Sequence, residues 1–592
     1  MRLHLIRVDV VGDEPGSIPI TDSQVVTFGP LEVAVDASDA PAVFRWALGN
    51  RGGEPARVRA VRLIFAVGHA GPLRMYRHGY QSWSPSGVAT LGVDVDPSSV
   101  GDTDDLWLAR GENHADGDPV GDPHELRSEM VTLLADADDE RRLLGFDGGA
   151  HHDGTFRLRR TDDGTVELAA EAFLGDVRLD PGVERPFHAV VTAAGQDHSV
   201  LLEDWAAGYG QAAGARVAAP YQVGWCSWYH YFGNVTQSDL DQNLALADSW
   251  PFEVFQLDDG YQAAIGDWLT LSDRFGGSSL DAVASSIAAA GHRPGLWIAP
   301  FLAVPHSQLA TEHPEWIARH PSGGRLLGMM HPVWGGATHT LDTTRPEVIE
   351  HLEGLGRDLV AAGFTYLKLD FTYAPGFDGV FADPTATPAE RVRAGFDAIR
   401  RGAGDDTFIL GCGAPLGACV GVVDGMRIGA DVAPSWPVPE HSYRPAGYVE
   451  AAPGTVNGYQ NTLTRSFLHR RLWLNDPDCL MLRTSETALS QEAARTWAHA
   501  VGLSGGMALV SDDLSLLDDD ARRLLDEVIE LGQASDAEAV AASAAAAARS
   551  TGGDGAHPPR CPDLLEAAIP TTFTAAGRTL VTDPTDGTSL LT

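Results

Sequence analysis

Between residues 220 and 515 the chain repeats one pattern: an apolar segment, a polar turn and an amphipathic stretch with helical spacing. Eight apolar segments carry this pattern: Val223–Trp228, Val254–Asp259, Gly295–Pro300, Tyr366–Asp370, Phe408–Cys412, Met426–Asp431, Leu472–Asn475 and Met507–Ser511. Strands that alternate with helices predict a parallel sheet. Eight strands over roughly 290 residues have the size of a (β/α)8 TIM barrel, and an open doubly wound sheet is the alternative. No GxGxxG or GxxxxGKS motif follows any strand, which disfavours the nucleotide-binding variants.

Two of the connecting helices have clear start and stop signals. The first follows Thr344, has apolar residues at positions 348, 352, 355 and 359, and should end at Gly363. The second begins with Thr387-Pro-Ala-Glu390, a capping box with proline at the first helical position. Both predictions place helices on the outside of the proposed barrel.

The flanking regions differ from the barrel in pattern. Residues 1–210 contain short alternating segments broken by Gly, Pro and Asp, which predicts an N-terminal β-sandwich. After residue 515 the pattern weakens: an alanine-rich run favours helix, Ser550–Pro559 indicates a loop, and Thr571–Val581 predicts two short strands. We therefore expect three domains, a sandwich at 1–210, a catalytic barrel at 211–515 and a small C-terminal β domain with a flexible insert at 516–592.

The charge balance excludes several classes of partner. With 42 basic and 81 acidic residues, the net charge of −39 disfavours binding to nucleic acid and to anionic membranes. The first residues predict a strand rather than a signal peptide, and no apolar run is long enough for a membrane span. Five cysteines without a CxxC motif disfavour disulfides and metal sites. We expect a cytoplasmic protein without metal or cofactor, and the oligomeric state stays open.

The only lysine of the chain is Lys368, in the segment Tyr366-Leu-Lys-Leu-Asp-Phe371. Alternate residues of a strand share a face, so Lys368 and Asp370 should project together. Lysine is a compact point charge and arginine a wide planar fork, so a position that retains lysine suggests a tight chemical site. The alternative is a chance survivor of biased codon usage.

Polar and aromatic residues cluster where the candidate strands end. They are Trp225, Trp228, Tyr229, His230, Asp258, Asp259, Trp297, Lys368, Asp370, Cys412, Arg427 and Asp431. In a barrel these residues would surround the C-terminal mouth, where barrel enzymes have their active sites. Asp258-Asp259 taken alone also fits a capped turn before Gly260. Core packing is the better interpretation for Trp225, but not for Trp228 and Trp297.

Paired carboxylates and several tryptophans suit carbohydrate chemistry. Glycoside cleavage needs one carboxylate and one carboxylic acid on either side of the bond. Lys368 beside Asp370 would keep Asp370 ionised, as a nucleophile requires, and Asp431 would need a raised pKa to act as the acid. Arg427 lies four residues before Asp431, too far along a strand to be assumed its partner.

These segments resemble the α-galactosidases of glycoside hydrolase family 36, in the clan shared with family 27. The matching segments include Gly224-Trp-Cys-Ser-Trp-Tyr-His-Tyr-Phe232, Pro251–Asp259, Gly266-Asp-Trp268, Gly295–Phe301, Tyr366–Phe371, Phe408–Gly413, Asp424–Asp431 and Leu472–Cys479, and Tyr80-Gln-Ser-Trp83 is similar to the loop that the family's sandwich sends over the barrel mouth. The resemblance is to the compact single-chain branch, since Gly413-Ala-Pro-Leu departs from the glycine-rich run that the larger tetrameric members carry after the equivalent cysteine. Ala430 stands where close relatives often have proline.

The resemblance implies a retaining, exo-acting enzyme that hydrolyses terminal α-D-galactosyl residues of oligosaccharides. It implies Asp370 as nucleophile and Asp431 as acid/base. It also implies substrate binding by Asp258 and Asp259 at O4 and O6, by Lys368 at O3 and O4, by Arg427 and Cys412 near the 2-hydroxyl, and by Trp83, Trp228, Tyr229 and Trp297 along the pocket.

Four alternatives differ in chemistry from this expectation. An α-N-acetylgalactosaminidase of the same clan would need a small-residue pocket near Arg427, and a transglycosylase of that clan is the second alternative. A metal-dependent hydrolase could use His230, Asp258 and Asp370, but the HxH strand pattern is missing. A catalytically inactive carbohydrate-binding protein would not need both carboxylates and the lysine.

Overall fold

The fold is described from a computed structural model, which covers residues 1–21, 23–38, 42–95, 106–117, 122–138, 140–440, 449–549 and 560–592. The N-terminal strands are β1 (Arg2–Gly12), β2 (Gly16–Pro19), β3 (Gln24–Phe28), β4 (Leu31–Asp36), β5 (Val43–Asn50), β6 (Ala56–Gly68), β7 (Arg74–Arg77), β8 (Gly87–Thr90), β9 (Leu126–Glu129), β10 (Val131–Ala135), β11 (Arg141–Phe146), β12 (Asp153–Arg160), β13 (Val166–Leu179), β14 (Glu184–Pro186) and β15 (Val190–Gly195). Helix α1 (Leu106–Asn113) lies between β8 and β9, and α2 (His198–Ala213) follows β15.

These strands form two antiparallel sheets, in the orders β2-β1-β6-β13-β12-β9 and β3-β4-β5-β15-β11-β10-β7-β8, with β14 paired to β5. Side chains alternate between core and solvent along the strands; in β4, for example, Leu31, Val33 and Val35 are buried and the residues between them are not. The inward faces share one apolar core. A sheet with one buried face needs a second sheet to cover it, which explains the predicted sandwich.

The central region has eight parallel strands: β16 (Val223–Cys226), β17 (Val254–Leu257), β18 (Arg293–Ile298), β22 (Tyr366–Leu369), β23 (Phe408–Gly411), β24 (Gly425–Arg427), β25 (Leu474–Asp476) and β26 (Ala508–Val510). A small antiparallel sheet of β19 (Leu302–Ala303), β20 (Leu327–His331) and β21 (Gly336–Thr340) follows β18. The helices are α3 (Trp228–Tyr231), α4 (Gln237–Ala247), α5 (Leu280–Ala289), α6 (Gln308–Glu312), α7 (Pro346–Ala361), α8 (Pro388–Ala403), α9 (Leu416–Cys419), α10 (Thr455–Thr464) and α11 (Gln491–Ser504).

The parallel strands are ordered β25-β24-β23-β22-β18-β17-β16-β26, so the sheet curls into a nearly closed barrel. All residues of β16, β17, β22 and β23 are buried, as expected for strands covered on both faces. The backbone N of Met507 also donates to the carbonyl of Asn475 at 3.0 Å, across the remaining gap. The predicted (β/α)8 barrel is therefore confirmed, and the open doubly wound sheet is not.

The two helices with sequence signals form as predicted. In α8 both bonds of the capping box are present, from the backbone N of Glu390 to Thr387 and from the backbone N of Thr387 to Glu390. Helix α7 begins with Pro346 and buries its predicted apolar stripe, and Gly363 beyond its end adopts a φ of 108°. The propensity and capping signals at these positions agree with the packing of the helices on the barrel.

The C-terminal region begins with a 31-residue helix, α12 (Asp519–Arg549), of which the sequence indicated only the alanine-rich end. A sheet of β27 (Thr572–Ala575), β28 (Arg578–Asp583) and β29 (Thr588–Leu591) follows, one strand more than predicted. The predicted loop at 550–559 lies outside the described residues. The boundaries of the three predicted domains stay a prediction.

Candidate active site

The predicted site residues meet at the carboxyl ends of adjacent barrel strands. Asp258 follows β17, Trp297 lies near the end of β18, Asp370 follows β22, and β24 ends at Arg427. Strands β18 and β22 pair with Trp297 opposite Lys368, so the two side chains belong to the same level of the barrel. Barrel enzymes place their chemistry at this face, where loop residues can be exchanged without disturbing the core.

The carboxylate of Asp370 is oriented by hydrogen bonds to both of its oxygens. The indole Nε1 of Trp297 donates to Oδ2 at 2.9 Å, and the backbone N of Phe371 donates to Oδ1 at 2.8 Å. Phe371 has a φ of 51°, in the left-handed region that bulky residues rarely enter. Gly413, at a φ of 48°, comes so close that a Cβ there would lie 3.1 Å from Oδ1 of Asp370 and 2.9 Å from the Trp83 ring. Because glycine has no Cβ, the carboxylate of Asp370 and the ring of Trp83 can both lie close to the backbone at position 413.

Lys368 forms its ion pair with Asp258 and not with Asp370, although the charge of Asp370 also acts on Lys368. The Nζ of Lys368 donates to Oδ2 of Asp258 at 2.9 Å, and both side chains are buried. Strands β17 and β22 are separated by β18, and the inward side chains of alternate barrel strands meet in one layer. Burial lowers the pKa of Lys368, but the charge of Asp258 opposes it and the net pKa is well above its ordinary value. The ammonium group is therefore charged at neutral pH.

Asp259 is held by two hydrogen bonds from side chains in different loops. The Nε1 of Trp334 donates to Oδ2 at 2.8 Å, and the Nε2 of Gln262 donates to Oδ1 at 2.6 Å. Burial raises the pKa of Asp259 to about 6, against the effect of these two donors and with help from the charges of Asp258 and Asp370. Asp258-Asp259 is thus part of a charged cluster and is more than a capped turn.

Arg427 joins Asp431 to two further carboxylates. Its Nη1 donates to Oδ1 of Asp431 at 3.0 Å, its Nε donates to Oδ2 of Asp476 at 3.1 Å, and its Nη2 lies 2.8 Å from Oδ1 of Asp478. In an extended strand four residues would span roughly 13 Å, which is why the sequence did not pair Arg427 with Asp431. Strand β24 ends at Arg427, however, and the chain then turns, so the two side chains meet.

Burial raises the pKa of Asp431, Arg427 lowers it and Asp370 raises it, and the net pKa lies above the ordinary value. The side chain of Asp431 is still 32% exposed, whereas that of Arg427 is only 3% exposed. A raised pKa and access to a ligand are what a proton-donating carboxyl group needs. The surroundings of the two carboxyl groups thus differ: Asp431 lies partly exposed beside Arg427, and Asp370 is oriented by Trp297 and the backbone of Phe371.

The remaining predicted residues take different positions around this cluster. Cys412 follows β23, is fully buried and interacts electrostatically with Asp370 and Arg427. Tyr229 is buried, and its hydroxyl donates to Asp478, so it supports the Arg427 cluster. Trp228 is half-buried on the edge of the Phe232 ring.

Two tryptophans lie in different surroundings, Trp83 at the barrel mouth and Trp225 in the core. The ring of Trp83 packs edge-to-face on Phe371 at 5.0 Å and brings the sandwich loop to the mouth. Trp225 stacks on Phe255 at 4.2 Å in the core, as predicted. The substrate contacts predicted for Trp83, Trp228, Tyr229, Trp297 and Cys412 stay predictions.

A pocket of about 180 Å³ opens beside Asp431. It is lined by Gln81 and Trp83 of the sandwich loop, Glu112 and Asn113 of α1, residues 329–332 of β20 and its turn, Phe371, Asp431, Ala451 and Pro453. Because these residues come from six separate parts of the chain, the pocket exists only in the assembled fold.

Sequence reasoning missed several residues of the site. Trp334 lies in a turn far from any strand end of the barrel and has no spacing signal that would connect it with Asp259. Glu112, in α1, lies far before the first barrel strand, β16, which begins at Val223. Asp476 and Asp478, by contrast, lie at and just after the end of β25, in the segment Leu472–Cys479 that resembles the family, and their alternate spacing predicts that the two side chains share a face.

Within the described ranges, no group of three or more His, Cys, Asp or Glu side chains could hold a metal ion. No helix among the described residues is long and apolar enough to cross a membrane. All five cysteines are buried and none forms a disulfide.

A nearly closed barrel with an oriented carboxylate and a second carboxyl group of raised pKa at its mouth is the arrangement found in barrel glycoside hydrolases. Residues 224–374 match the family model described as Melibiase. The α-galactosidase AgaA of Geobacillus stearothermophilus is 30% identical over 126 residues, 20% of this chain and 16% of the relative. The α-galactosidase C of Emericella nidulans is 26% identical over 163 residues, 24% of this chain and 21% of the relative. The chain thus spans about a fifth of the length of these curated relatives.

Solved structures extend the similarity to most of the chain. TtGalA, an α-galactosidase from Thermus thermophilus in complex with p-nitrophenyl α-D-galactopyranoside, matches with a TM-score of 0.64 and 28% identity over 85% of this chain and 94% of that chain. The family 36 α-galactosidase AgaA from G. stearothermophilus matches with a TM-score of 0.58 at 12% identity, over 90% of this chain and 76% of that chain, which shows a shared fold. The predicted resemblance to the family 36 α-galactosidases is confirmed.

Proposed function

We propose that the protein is a retaining, exo-acting α-galactosidase that releases terminal α-D-galactosyl residues from galacto-oligosaccharides. The observation that carries this proposal is the presence of two unlike carboxyl groups at one barrel mouth. Asp370 is oriented through both oxygens, and Asp431 has a raised pKa and an exposed edge. Retaining glycosidases need such a pair, one group to attack and one to transfer protons.

In the proposed reaction, Asp370 attacks the anomeric carbon while Asp431 donates its proton to the glycosidic oxygen. The bond to the leaving group breaks, and a galactosyl ester forms on Asp370. Asp431, now a carboxylate, takes a proton from water, and the water oxygen attacks the anomeric carbon and releases Asp370. The guanidinium of Arg427, 3.0 Å from Asp431, would stabilise the carboxylate between the two steps.

Charged groups deep in the mouth would select galactose. Lys368 and Asp258 form a buried pair that can donate to and accept from adjacent hydroxyls, and Asp259 lies next to them. These residues support the predicted contacts with O3, O4 and O6, and Arg427 and Cys412 support those with the 2-hydroxyl. Desolvated charged groups discriminate strongly between sugars because a wrong hydroxyl leaves them unpaired.

Similar proteins support oligosaccharides as the partner class. TtGalA has been solved in complex with stachyose, at 27% identity to this chain and a TM-score of 0.63. We propose that the protein works in the cytoplasm, because its five free cysteines fit a reducing environment.

The direct test is hydrolysis of nitrophenyl α-galactoside compared with the α-N-acetylgalactosaminide and the α-glucoside, each with and without a chelator. We expect the galactoside to be hydrolysed with a kcat/KM at least about 100-fold above the other two, because each displaced sugar hydroxyl contact contributes roughly tenfold or more. The chelator should change nothing. Preference for the acetamido sugar would favour the α-N-acetylgalactosaminidase alternative, and no activity would contradict the proposal.

The anomer released first tests the double displacement. We expect α-galactose as the first product from an α-galactoside, followed by slow mutarotation, as measured by proton NMR during the first minutes of hydrolysis. The carboxyl groups of Asp370 and Asp431 should then lie roughly 5–6 Å apart in a complex with galactose. Release of β-galactose, or a separation of about 9 Å, would instead indicate an inverting enzyme.

Replacing Trp334 with phenylalanine tests the role of Asp259. The phenyl ring keeps the packing on Phe371, but the hydrogen bond from Nε1 to Asp259 is lost. That bond lowers the pKa of Asp259, so the variant should have a pKa above the value of about 6. Ionised Asp259 is lost as the pH falls through its pKa, so the acidic limb of the kcat/KM profile should move to higher pH. At pH 6 we expect a fall of about tenfold; an unmoved or lowered acidic limb would contradict this role.

A further inference from the structure

The contact between Asp431 and Arg427 conflicts with the role proposed for Asp431. The Nη1 of Arg427 donates to Oδ1 of Asp431 at 3.0 Å. A guanidinium at this distance favours the ionised carboxylate and so lowers the pKa of its partner. The acid/base group must instead keep its proton until the leaving group takes it. The site therefore requires something that offsets the charge of Arg427.

Two buried carboxylates at the other nitrogens of the guanidinium supply this offset. Oδ2 of Asp476 accepts from Nε of Arg427 at 3.1 Å, and Oδ1 of Asp478 lies 2.8 Å from Nη2. Both carboxylates are buried, so water screens their charges little. One guanidinium between two carboxylates leaves a net negative charge beside Asp431, and a negative charge opposes the ionisation of a further carboxyl group.

Asp478 is held in a backbone conformation that residues other than glycine rarely adopt. Its φ is 94°. Its Oδ2 accepts hydrogen bonds from the backbone N of Val432, at 2.9 Å, and from the hydroxyl of Tyr229, and its Oδ1 accepts one from the backbone N of Cys479 at 2.7 Å. Val432 directly follows Asp431, so Asp478 holds the backbone beside the acid/base group as well as its arginine. Strained backbone of this kind is concentrated at functional sites.

The ionisation of Asp478 is coupled to that of Asp431. The pKa of Asp478 is raised to about 6, chiefly by burial; Arg427 lowers it, and the charges of Asp431 and Asp476 raise it. The repulsion acts in both directions, so an ionised Asp478 makes the proton of Asp431 harder to remove.

Other titratable groups also face Asp431. Asp370, Lys368 and Asp258 act on it through their charges, Cys412 and Tyr229 interact with it electrostatically, and Glu112 and His331 share its pocket. All of these groups stay the same in the variants that test Asp476 and Asp478, so a change in the titration of Asp431 can be assigned to the substituted carboxylate.

We propose that Asp478, together with Asp476, is a positioning residue for Asp431: the two carboxylates balance the charge of Arg427, so that Asp431 can lie against an arginine and still keep the proton it donates. The inference rests on the proposed α-galactosidase mechanism. It gives Arg427 a use in both steps, because the balanced guanidinium tolerates the protonated acid and then stabilises the carboxylate that remains after proton transfer.

The test is the pH dependence of kcat/KM on melibiose, a galactosyl glucose whose leaving group requires a proton. Asp478→Asn removes the charge and keeps the shape of the side chain. Loss of this charge should lower the pKa of Asp431, and activity that requires protonated Asp431 is lost as the pH rises through that pKa. The basic limb of the profile should therefore move to lower pH. On the basic side of the optimum we expect kcat/KM to fall about tenfold further below wild type than on the acidic side.

Asp476→Asn is a second variant that does not depend on the strained backbone at Asp478, and it should move the basic limb in the same direction. The matched control is Asp536→Asn, in α12. Asp536 is buried and accepts from Nε and Nη2 of Arg470 at 2.6 and 2.8 Å, so it forms a comparable ion pair with a different arginine. This variant should lower the melting temperature without moving the basic limb.

A second substrate separates proton donation from a general defect. Nitrophenyl α-galactoside has a leaving group that requires little proton donation, so its basic limb should change less than that of melibiose in Asp478→Asn. A basic limb that stays in place or moves to higher pH in both Asp478→Asn and Asp476→Asn would overturn the inference. An equal loss at every pH on both substrates would contradict it as well, because a purely structural role predicts that result.

These results leave the proposed function standing, because they concern only how Asp431 keeps its proton. A wild-type enzyme that cleaves neither melibiose nor nitrophenyl α-galactoside would instead overturn the proposed function, and this inference with it.

Discussion

Asp370→Ala should lower kcat on the order of 10⁴-fold or more, because the reaction loses its nucleophile. Added azide should restore turnover, with β-galactosyl azide as the product. Removing the carboxylate opens a space beside the anomeric carbon, between Trp297 and the backbone of Phe371. Azide in that space displaces the leaving group directly and inverts the α-configuration. Carbon NMR of the isolated azide reports the stereochemistry.

Asp431→Ala should give the opposite azide. With an activated leaving group this variant should still form the galactosyl ester on Asp370, since little proton donation is required. Azide would then attack the ester from the face that Asp431 normally serves and yield α-galactosyl azide. The same azide from both variants, or the reverse assignment, would overturn the two roles even if the wild-type enzyme is an α-galactosidase.

Lys368→Arg should be nearly as damaging as Lys368→Ala. We expect each variant to lose about 2–4 kcal/mol of transition-state binding, roughly 30- to 1,000-fold in kcat/KM. Arginine keeps the charge but is too wide for a buried position that fits an ammonium group 2.9 Å from Asp258. Alanine leaves the buried carboxylate of Asp258 without its ion-pair partner.

Steady-state kinetics on nitrophenyl α-galactoside and thermal unfolding of both variants separate binding from stability. An arginine variant with most of its activity would mean that the single lysine is an accident of codon usage. A large fall in melting temperature with unchanged kcat/KM would assign the Lys368–Asp258 pair to folding alone.

The barrel could be predicted because its signals are local and repeated. Strands buried on both faces are continuous apolar runs, and Thr387 with Glu390 marks a helix start that the packing does not alter. The residues that follow β17, β22 and β24 could also be identified from local sequence. A polar side chain after one apolar strand can be a simple cap, but polar side chains after several strands indicate a functional site.

The pairing within the site could not be predicted, because it depends on which strands are neighbours. Lys368 meets Asp258 across the barrel layer, although Asp370 is closer in sequence. Arg427 reaches Asp431 because β24 ends at Arg427 and the chain then turns back. The residue at which a strand ends is difficult to predict from sequence. Sequence spacing indicated the members of the cluster without indicating their partners.

The contributions of distant loops were beyond sequence reasoning for a different reason. Trp334 and Glu112 reach the mouth from a hairpin turn and from a helix next to the sandwich. The position of Glu112 depends on how the N-terminal region packs on the barrel, and that of Trp334 on how the β20–β21 hairpin lies against Asp259. Long-range packing of this kind leaves no local pattern in a single sequence.

A single lysine buried at the mouth also makes the protein unusually accessible to spectroscopy. Growth with isotopically labelled lysine would place one labelled side chain in the whole molecule, at Lys368. Its one nitrogen resonance would need no assignment and would report directly on the contact with Asp258. Titrating candidate sugars while following that resonance would detect occupancy of the site in inactive variants, where turnover cannot report it.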